Sequence, residues 1–219
     1  MNNLILFGGT YDPIHLGHMN TAIAIQKQLH FDRFIFLPCK IPVLNKGIPH
    51  ASTRDRLSMI ELALHNQQAA YHFEIDPREI TRDAPSYTVL TLREYRSEYG
   101  MNLPITLLMG IDTFSQLPEW FEWEQLTQLA NLLVIDRPGI NQPIISDCLN
   151  TLLEAHECTH GRALLTTSHG LIVRMNAGNY DISSTQVRQS LYQKDNLSTQ
   201  LLDPAINQYI QQHHLYSNK

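Results

Sequence analysis

Eleven consecutive residues carry the groups best suited to chemistry: Gly8-Gly9-Thr10-Tyr11-Asp12-Pro13-Ile14-His15-Leu16-Gly17-His18. Gly8 and Gly9 let the backbone turn sharply and approach a ligand closely. Asp12-Pro13 is a turn signal. His15 and His18 are three residues apart, the spacing at which two side chains share one side of a helical turn. Gly17 has no side chain to block an anion at the start of the following helix, whose first N–H groups and positive dipole end attract one. Two imidazoles, free amides and a helix end make an anion site suited to a polyphosphate. A Gly-Gly pair alone is usually a turn, and two histidines alone are a surface pair or half a metal site. The combination is what points to phosphate.

A second stretch fits the same chemistry. In Ile182-Ser183-Ser184-Thr185-Gln186-Val187-Arg188, the serines are good helix caps, and the hydroxyls of Ser184 and Thr185 can bond phosphate oxygens. Arg188, one turn on, supplies a planar fork for the same oxygens. Taken alone, this stretch reads first as an ordinary capped surface helix; beside the first motif it does not. His156-Glu157-Cys158-Thr159-His160 has the residue types of a transition-metal site, but it has no partner Cys pair and is read as a solvated loop.

These groups need elements to hold them. Short apolar runs alternate with amphipathic segments. Strands are expected at Leu4–Phe7, Phe34–Leu37, Tyr71–Ile75, Ile105–Met109 and Leu132–Ile135. Helices are expected from His18 to His30, after the capping box Ser52-Thr53-Arg54-Asp55, from Ser86 to Tyr99 with Gly100 as its stop, and after Asp203-Pro204. A Trp-rich helical stretch is expected before Leu132, and an inserted loop-plus-helix over 138–162. Strand–helix alternation with short connections predicts an α/β, Rossmann-like, doubly wound and mostly parallel sheet with helices on both faces. Ligands then sit at the carboxyl ends of the strands, where the strand order switches, which is where the loop after the first strand lies.

Composition bounds the rest. At 219 residues, 43% hydrophobic and 17% charged, the chain is expected to fold as one domain over 1–219, with a small helical subregion from about 180 that carries ISSTQVR. A net charge of -5 argues against a nucleic-acid-coating protein. The longest apolar runs are four residues, far short of the roughly 20 a membrane helix needs. No leader is expected at the N-terminus, and Cys39, Cys148 and Cys158, odd in number and without CxxC, fit a reducing cytoplasm.

GGTYDPIHLGH resembles the GGxFDPxHxGH signature of the nucleotidyltransferase superfamily, and ISSTQVR resembles its ISxTxxR motif. The HxGH element occurs more loosely in class I aminoacyl-tRNA synthetases, but this chain is too short for one. Ala84-Pro85-Ser86-Tyr87-Thr88, Met109-Gly110-Ile111-Asp112 with Trp120 following, and Arg137-Pro138-Gly139 make the chain similar to bacterial nicotinate-mononucleotide adenylyltransferases over most of its length. The resemblance implies transfer of the adenylyl group of ATP to nicotinate mononucleotide, with Mg²⁺ carried on the ATP phosphates and no metal site of the protein's own. It implies that His18 meets the α-phosphate, while His15, Ser184, Thr185 and Arg188 hold the β and γ phosphates. Gly8, Gly9, Thr10, Gly17 and Ile182 border the ATP site, Gly110 and Asp112 meet its ribose, and Arg137 closes over adenine. Trp120 stacks on the pyridine ring, and the backbone near Tyr87, Thr88 and Phe121 reads the pyridine carboxylate. On their own, Trp120 reads equally as core, Asp112 as a cap and Thr88 as an early-helix residue. The chain departs from the family's PxxxPPHK loop: Leu44-Asn45 stand where His-Lys is expected, which leaves Lys40 and Lys46 as candidate phosphate contacts. The same motifs would serve a transferase acting on nicotinamide mononucleotide or another phosphorylated acceptor, or a non-catalytic nucleotide sensor.

Overall fold

Runs of branched and aromatic residues become strands where helices cover both faces of a sheet. The computed structural model describes residues 2–42, 47–65, 67, 70–136, 143–178, 180 and 182–217. Its strands are β1 (Leu4–Gly9), β2 (Arg33–Pro38), β3 (Phe73–Ile75), β4 (Ile105–Gly110), β5 (Asn131–Asp136) and β6 (Ile172–Asn176). They form one sheet in the order β3-β2-β1-β4-β5-β6, with every pairing parallel. The chain builds outward from β1 in one direction, then returns to build β4, β5 and β6 on its other side. The switch therefore falls between β1 and β4, where a crevice opens at the carboxyl ends.

The period-two alternation of the strands sorts side chains into two layers. Ile5, Phe34, Phe36, Leu108, Leu133 and Val173 face a core shared with α1 (Leu16–Leu29), α2 (Thr53–His65) and the C-terminal helices. Leu4, Leu6, Ile35, Leu107, Leu132 and Val134 face the opposite layer. That layer holds, after the short α3 (Arg78–Thr81), α4 (Thr88–Tyr99), α5 (Ile111–Ser115), α6 (Leu126–Leu129) and α7 (Asp147–His156). The last three helices are α8 (Ser184–Gln193), α9 (Leu197–Leu201) and α10 (Pro204–Gln212). Asp203 caps α10 by accepting from the Ala205 N–H at 2.8 Å.

The expected strands and main helices are present, with shifts at their ends. The second strand continues through Pro38. The Ser52 hydroxyl accepts from the Asp55 N–H at 3.1 Å and donates to the Asp55 carboxylate at 2.6 Å, the capping box that opens α2. The Trp-rich stretch is not one helix. Pro118 and the left-handed Glu122, at φ 51°, break it into α5, two 3₁₀ turns and α6. Strand β6 went unpredicted: only Ile172 and Val173 are buried in it, because it is a sheet edge, and two residues are too short a run to read. His156 lies 2.7 Å from the Gly170 carbonyl through Nδ1 and serves packing at the end of α7. No helix among the described residues is long and apolar enough to cross a membrane.

One buried cation ties the far end of the sheet together. Arg96 donates to the carbonyls of Leu129 at 2.7 Å, Gly100 at 3.0 Å, Leu103 at 2.7 Å and Ser168 at 2.8 Å. Removing the donor leaves several carbonyls, most of them part-buried, without it, at a cost of about 1–3 kcal/mol for each that water cannot reach. Urea unfolding of Arg96→Met is expected to show a loss of at least about 3 kcal/mol. A loss under about 1 kcal/mol would mean that water replaces the guanidinium.

Candidate active site

The loop from Thr10 to His15 has no strand or helix of its own, so side chains must hold it. Tyr11 takes a left-handed backbone at φ 51°, stabilised by its hydroxyl donating to the Phe7 carbonyl at 2.6 Å. Its ring lies over Gly9 so closely that a β-carbon there would stand 2.9 Å from a ring carbon. Asp12 is buried, yet its carboxylate is fully engaged. It accepts from the backbone N–H of His50 at 2.7 Å and of Ala51 at 3.0 Å, and from the Tyr216 hydroxyl at 2.8 Å. Burial opposes ionisation of Asp12, but these donors and the charge of Arg188 outweigh it and hold its pKa below the ordinary carboxylate value.

The two histidines follow at the start of α1. His15 is buried and its ring stacks on that of His18, with centroids 3.7 Å apart. His18 Nδ1 accepts the His15 backbone N–H at 3.3 Å. A neutral His18 ring therefore carries its proton on Nε2, the nitrogen a ligand can meet. Gly17 is required for this arrangement. A β-carbon there would come within 3.0 Å of the His15 ring and 3.1 Å of Ile182, so the glycine makes room for protein side chains as well as for an anion.

The second motif docks on the first. Ser183 caps α8, accepting from the Gln186 N–H at 3.1 Å. The Ser184 hydroxyl donates to the Pro13 carbonyl at 3.0 Å. Arg188 donates to the Asp12 carbonyl at 2.6 Å and to the Thr185 hydroxyl at 3.1 Å. Arg56 completes the frame from below, donating to the carbonyls of Thr10 and Cys39, both at 2.7 Å, and of Lys40 at 3.0 Å. One buried guanidinium thus fixes the ends of both β1 and β2.

Around this frame lies a cavity of about 790 Å³. It is lined by Gly8, Gly9, Thr10, His15, Gly17, His18, Ile182, Ser184, Thr185 and Arg188, and by Tyr87, Thr88, Trp120 and Phe121. Gly110, the residue before α5, and Asp112 in its first turn also line it. Tyr87 and Phe121 pack ring to ring at 4.7 Å. The Trp120 indole nitrogen is buried with no acceptor among the described residues. Sixteen distant sequence positions named as candidates thus meet on one cavity. Lys40 does not join them: its ammonium donates to the Arg82 carbonyl at 3.2 Å and lies 3.6 Å from Asp83. Lys46 and Arg137 lie outside the described residues.

Sequence reasoning took Asp12 only as a turn residue and missed Arg56, Glu79 and Tyr216. Arg56 had left a trace: it occupies the apolar stripe of α2 together with Met59, Ile60 and Ala63, at the i, i+3, i+4 and i+7 spacing of a buried face. Asp12 and Tyr216 are 204 residues apart, and no local pattern joins them. Among the described residues, no group of three or more His, Cys, Asp or Glu side chains is placed to hold a metal ion.

A parallel sheet with an imidazole-lined loop at its switch point and an arginine-bearing helix closed over that loop defines a nucleotidyltransferase. The model of the cytidylyltransferase-like family matches residues 6–190. The chain is 41% identical to the "probable nicotinate-nucleotide adenylyltransferase" of Legionella pneumophila (strain Paris), over 99% of its own length and 100% of the relative's. It is 39% identical to the protein of the same name from Cellvibrio japonicus (strain Ueda107), over 96% and 97%. The chain belongs to the cytidylyltransferase-like family and, within it, to the nicotinate-nucleotide adenylyltransferases. Its fold superposes on a Plasmodium falciparum nicotinic acid mononucleotide adenylyltransferase complexed with NaAD at TM-score 0.72, with 18% identity and coverage of 99% and 98%.

Glu79 also lines the cavity, 4% exposed, accepting from the Thr91 hydroxyl at 2.7 Å. Burial pushes its carboxyl up to about 7 from 4.5, against the pull of Thr91 and Arg82. Between about pH 4.5 and about pH 7 the folded state therefore keeps a proton that the unfolded chain has already released. This contribution to stability is present at acid pH and is lost as pH rises from about 4.5 to about 7. Glu79→Gln removes the penalty. Unfolding at pH 8 and pH 5 is expected to show the variant gaining up to about 3 kcal/mol on the wild type between the two. Equal differences at both pH values would show that Glu79 does not hold the proton.

Proposed function

We propose that this chain transfers the adenylyl group of ATP to nicotinate mononucleotide, releasing pyrophosphate and forming nicotinate adenine dinucleotide on the way to NAD. The observation that carries this reading is the junction of the two phosphate motifs, Arg188 and Ser184 on the backbone of Asp12-Pro13, on a cavity that Tyr87, Trp120 and Phe121 also line. One pocket thus offers donors for a triphosphate and an indole for a pyridine ring. The whole chain is read as one nucleotidyltransferase domain, with the helices after residue 180 supplying the second motif.

In the reaction, an oxygen of the mononucleotide 5′-phosphate attacks the α-phosphorus of ATP. That P–O bond forms as the bond from the α-phosphorus to the bridging oxygen of pyrophosphate breaks. Alignment and charge stabilisation supply the catalysis. His18, with Nδ1 occupied, presents Nε2–H to the α-phosphate and stabilises the charge that builds there. His15, Thr185 and Arg188 hold the β and γ phosphates, and Gly8, Gly9 and Thr10 approach by backbone. Asp112 accepts from the ATP ribose hydroxyls. Trp120 stacks on the pyridine ring, where a desolvated cation–π contact is worth about 2 kcal/mol. The amides near Thr88 and Phe121 read its carboxylate.

Mg²⁺ arriving on ATP would neutralise the β and γ phosphates and ease departure of pyrophosphate. The donor set suits an ion carried that way. The side chains around the phosphate end are imidazole, hydroxyl and guanidinium groups, and the nearby Asp12 carboxylate is already occupied. The setting is the cytoplasm, a reading supported by three cysteines that form no disulfide.

His18→Ala is expected to lower pyrophosphate release at least a hundredfold with an unchanged melting curve, as for loss of one transition-state donor. Wild-type release should be far faster with nicotinate mononucleotide than with nicotinamide mononucleotide or phosphopantetheine. Retained turnover in the variant would remove the role of His18. Release with none of the three acceptors would point to a nucleotide sensor.

A further inference from the structure

The segment after α10 does not trail into solvent. His214 and Tyr216 take left-handed backbones, at φ 52° and 55°, and the Leu215 N–H donates to the Ile210 carbonyl at 3.0 Å. This hook turns Tyr216 beneath the phosphate loop, with Leu215 and Tyr216 packed on the core. The Tyr216 hydroxyl donates to Asp12 Oδ1 at 2.8 Å. One helical stretch earlier, the Tyr209 hydroxyl donates to Asp55 Oδ1 at 3.0 Å, beside the Arg56 strut. Tyr216 does not line the cavity, and its one hydrogen-bonded contact with the phosphate loop is Asp12 among the described residues.

We propose that Tyr216 is a positioning residue for nucleotidyl transfer, its hydroxyl holding the Asp12 carboxylate and through it the loop that carries His15 and His18. The proposal rests on the reading of the site given above. Asp12 is faced from four directions. The backbone N–H groups of His50 and Ala51 donate to it, with the His50 ring 3.3 Å away; Arg188 of α8 is 3.9 Å away; Arg56 of α2 adds its charge; and Tyr216 comes from the C-terminal hook. All favour an ionised Asp12, since a carboxylate accepts every one of these donors and a protonated acid must give one up. The part of the hold that runs through the carboxylate then lasts only while Asp12 is ionised. Losing the tyrosine hydroxyl removes a donor to the charged form, so the acid form becomes easier to reach. The site should fail at a higher pH than in the wild type.

The test compares wild type, Tyr216→Phe and Tyr209→Phe in two readouts: ATP binding by calorimetry and pyrophosphate release, each from about pH 2.5 to pH 7. Tyr209→Phe loses a comparable hydroxyl bond on the same C-terminal element but does not touch Asp12. Tyr216→Phe is expected to lower kcat about tenfold with KM for ATP changed less than about twofold, the size of one hydrogen bond to a charged group. Its acid limb should move to higher pH in both readouts, while that of Tyr209→Phe stays with the wild type and only its melting temperature falls. An acid limb that does not move in Tyr216→Phe overturns the proposal, as does one that moves equally in Tyr209→Phe. A shifted ATP-binding limb with no turnover on any acceptor would sink the acceptor reading while leaving the role of Tyr216 standing.

Discussion

The loop between β1 and α1 must approach phosphates by its backbone, and for that it has to give up the regular hydrogen bonds that would otherwise hold it. Every other feature of the site answers this constraint. The Asp12 carboxylate takes up the N–H groups of His50 and Ala51, the Arg188 guanidinium takes the Asp12 carbonyl, and Arg56 takes the carbonyls of Thr10, Cys39 and Lys40. A buried charge is tolerated only when its hydrogen bonds are satisfied. Here each charge is satisfied by backbone that would itself be unsatisfied without it, so the frame is stable only as a whole.

The sheet decides where that frame stands. Strand order places the ends of β1, β2 and β4 side by side. Gly9 and Gly110 therefore border one crevice although 101 positions separate them, and the short α5 begins at the crevice wall. The C-terminal helices close the other side. Their contact with the phosphate loop joins residues more than 170 apart in sequence. The anion site thus depends on non-local contacts that only the complete core brings together.

The electrostatics are local. The chain is acidic overall, at net charge -5, yet the cavity's phosphate end is made of imidazoles, hydroxyls, a guanidinium and a helix start. Acidic Glu79 shares the cavity wall, but burial raises its pKa to about 7, so it is only partly ionised near neutral pH and repels an incoming anion less than an ordinary carboxylate would. Lys40, the cation nearest by sequence, is drawn away to Arg82 and Asp83. Charge placement follows hydrogen-bond partners, which a tally of basic residues does not reveal.

The sequence by itself determined the strand–helix alternation, the capped starts of α2, α8 and α10, and the two phosphate motifs, because periodicity, caps and turn residues act over a few neighbouring positions. It also contained the family resemblance, which rests on such local strings. Only the tertiary structure decided that β6 pairs at the sheet edge, that the Trp-rich stretch breaks at Glu122, and that Gly17 makes room for His15 and Ile182. It alone showed that Arg56 is a strut, that Lys40 turns away and that Tyr216 reaches Asp12. Each of these depends on contacts between residues far apart in the chain, and a hydrogen bond between Asp12 and Tyr216 leaves no mark on the residues beside either one.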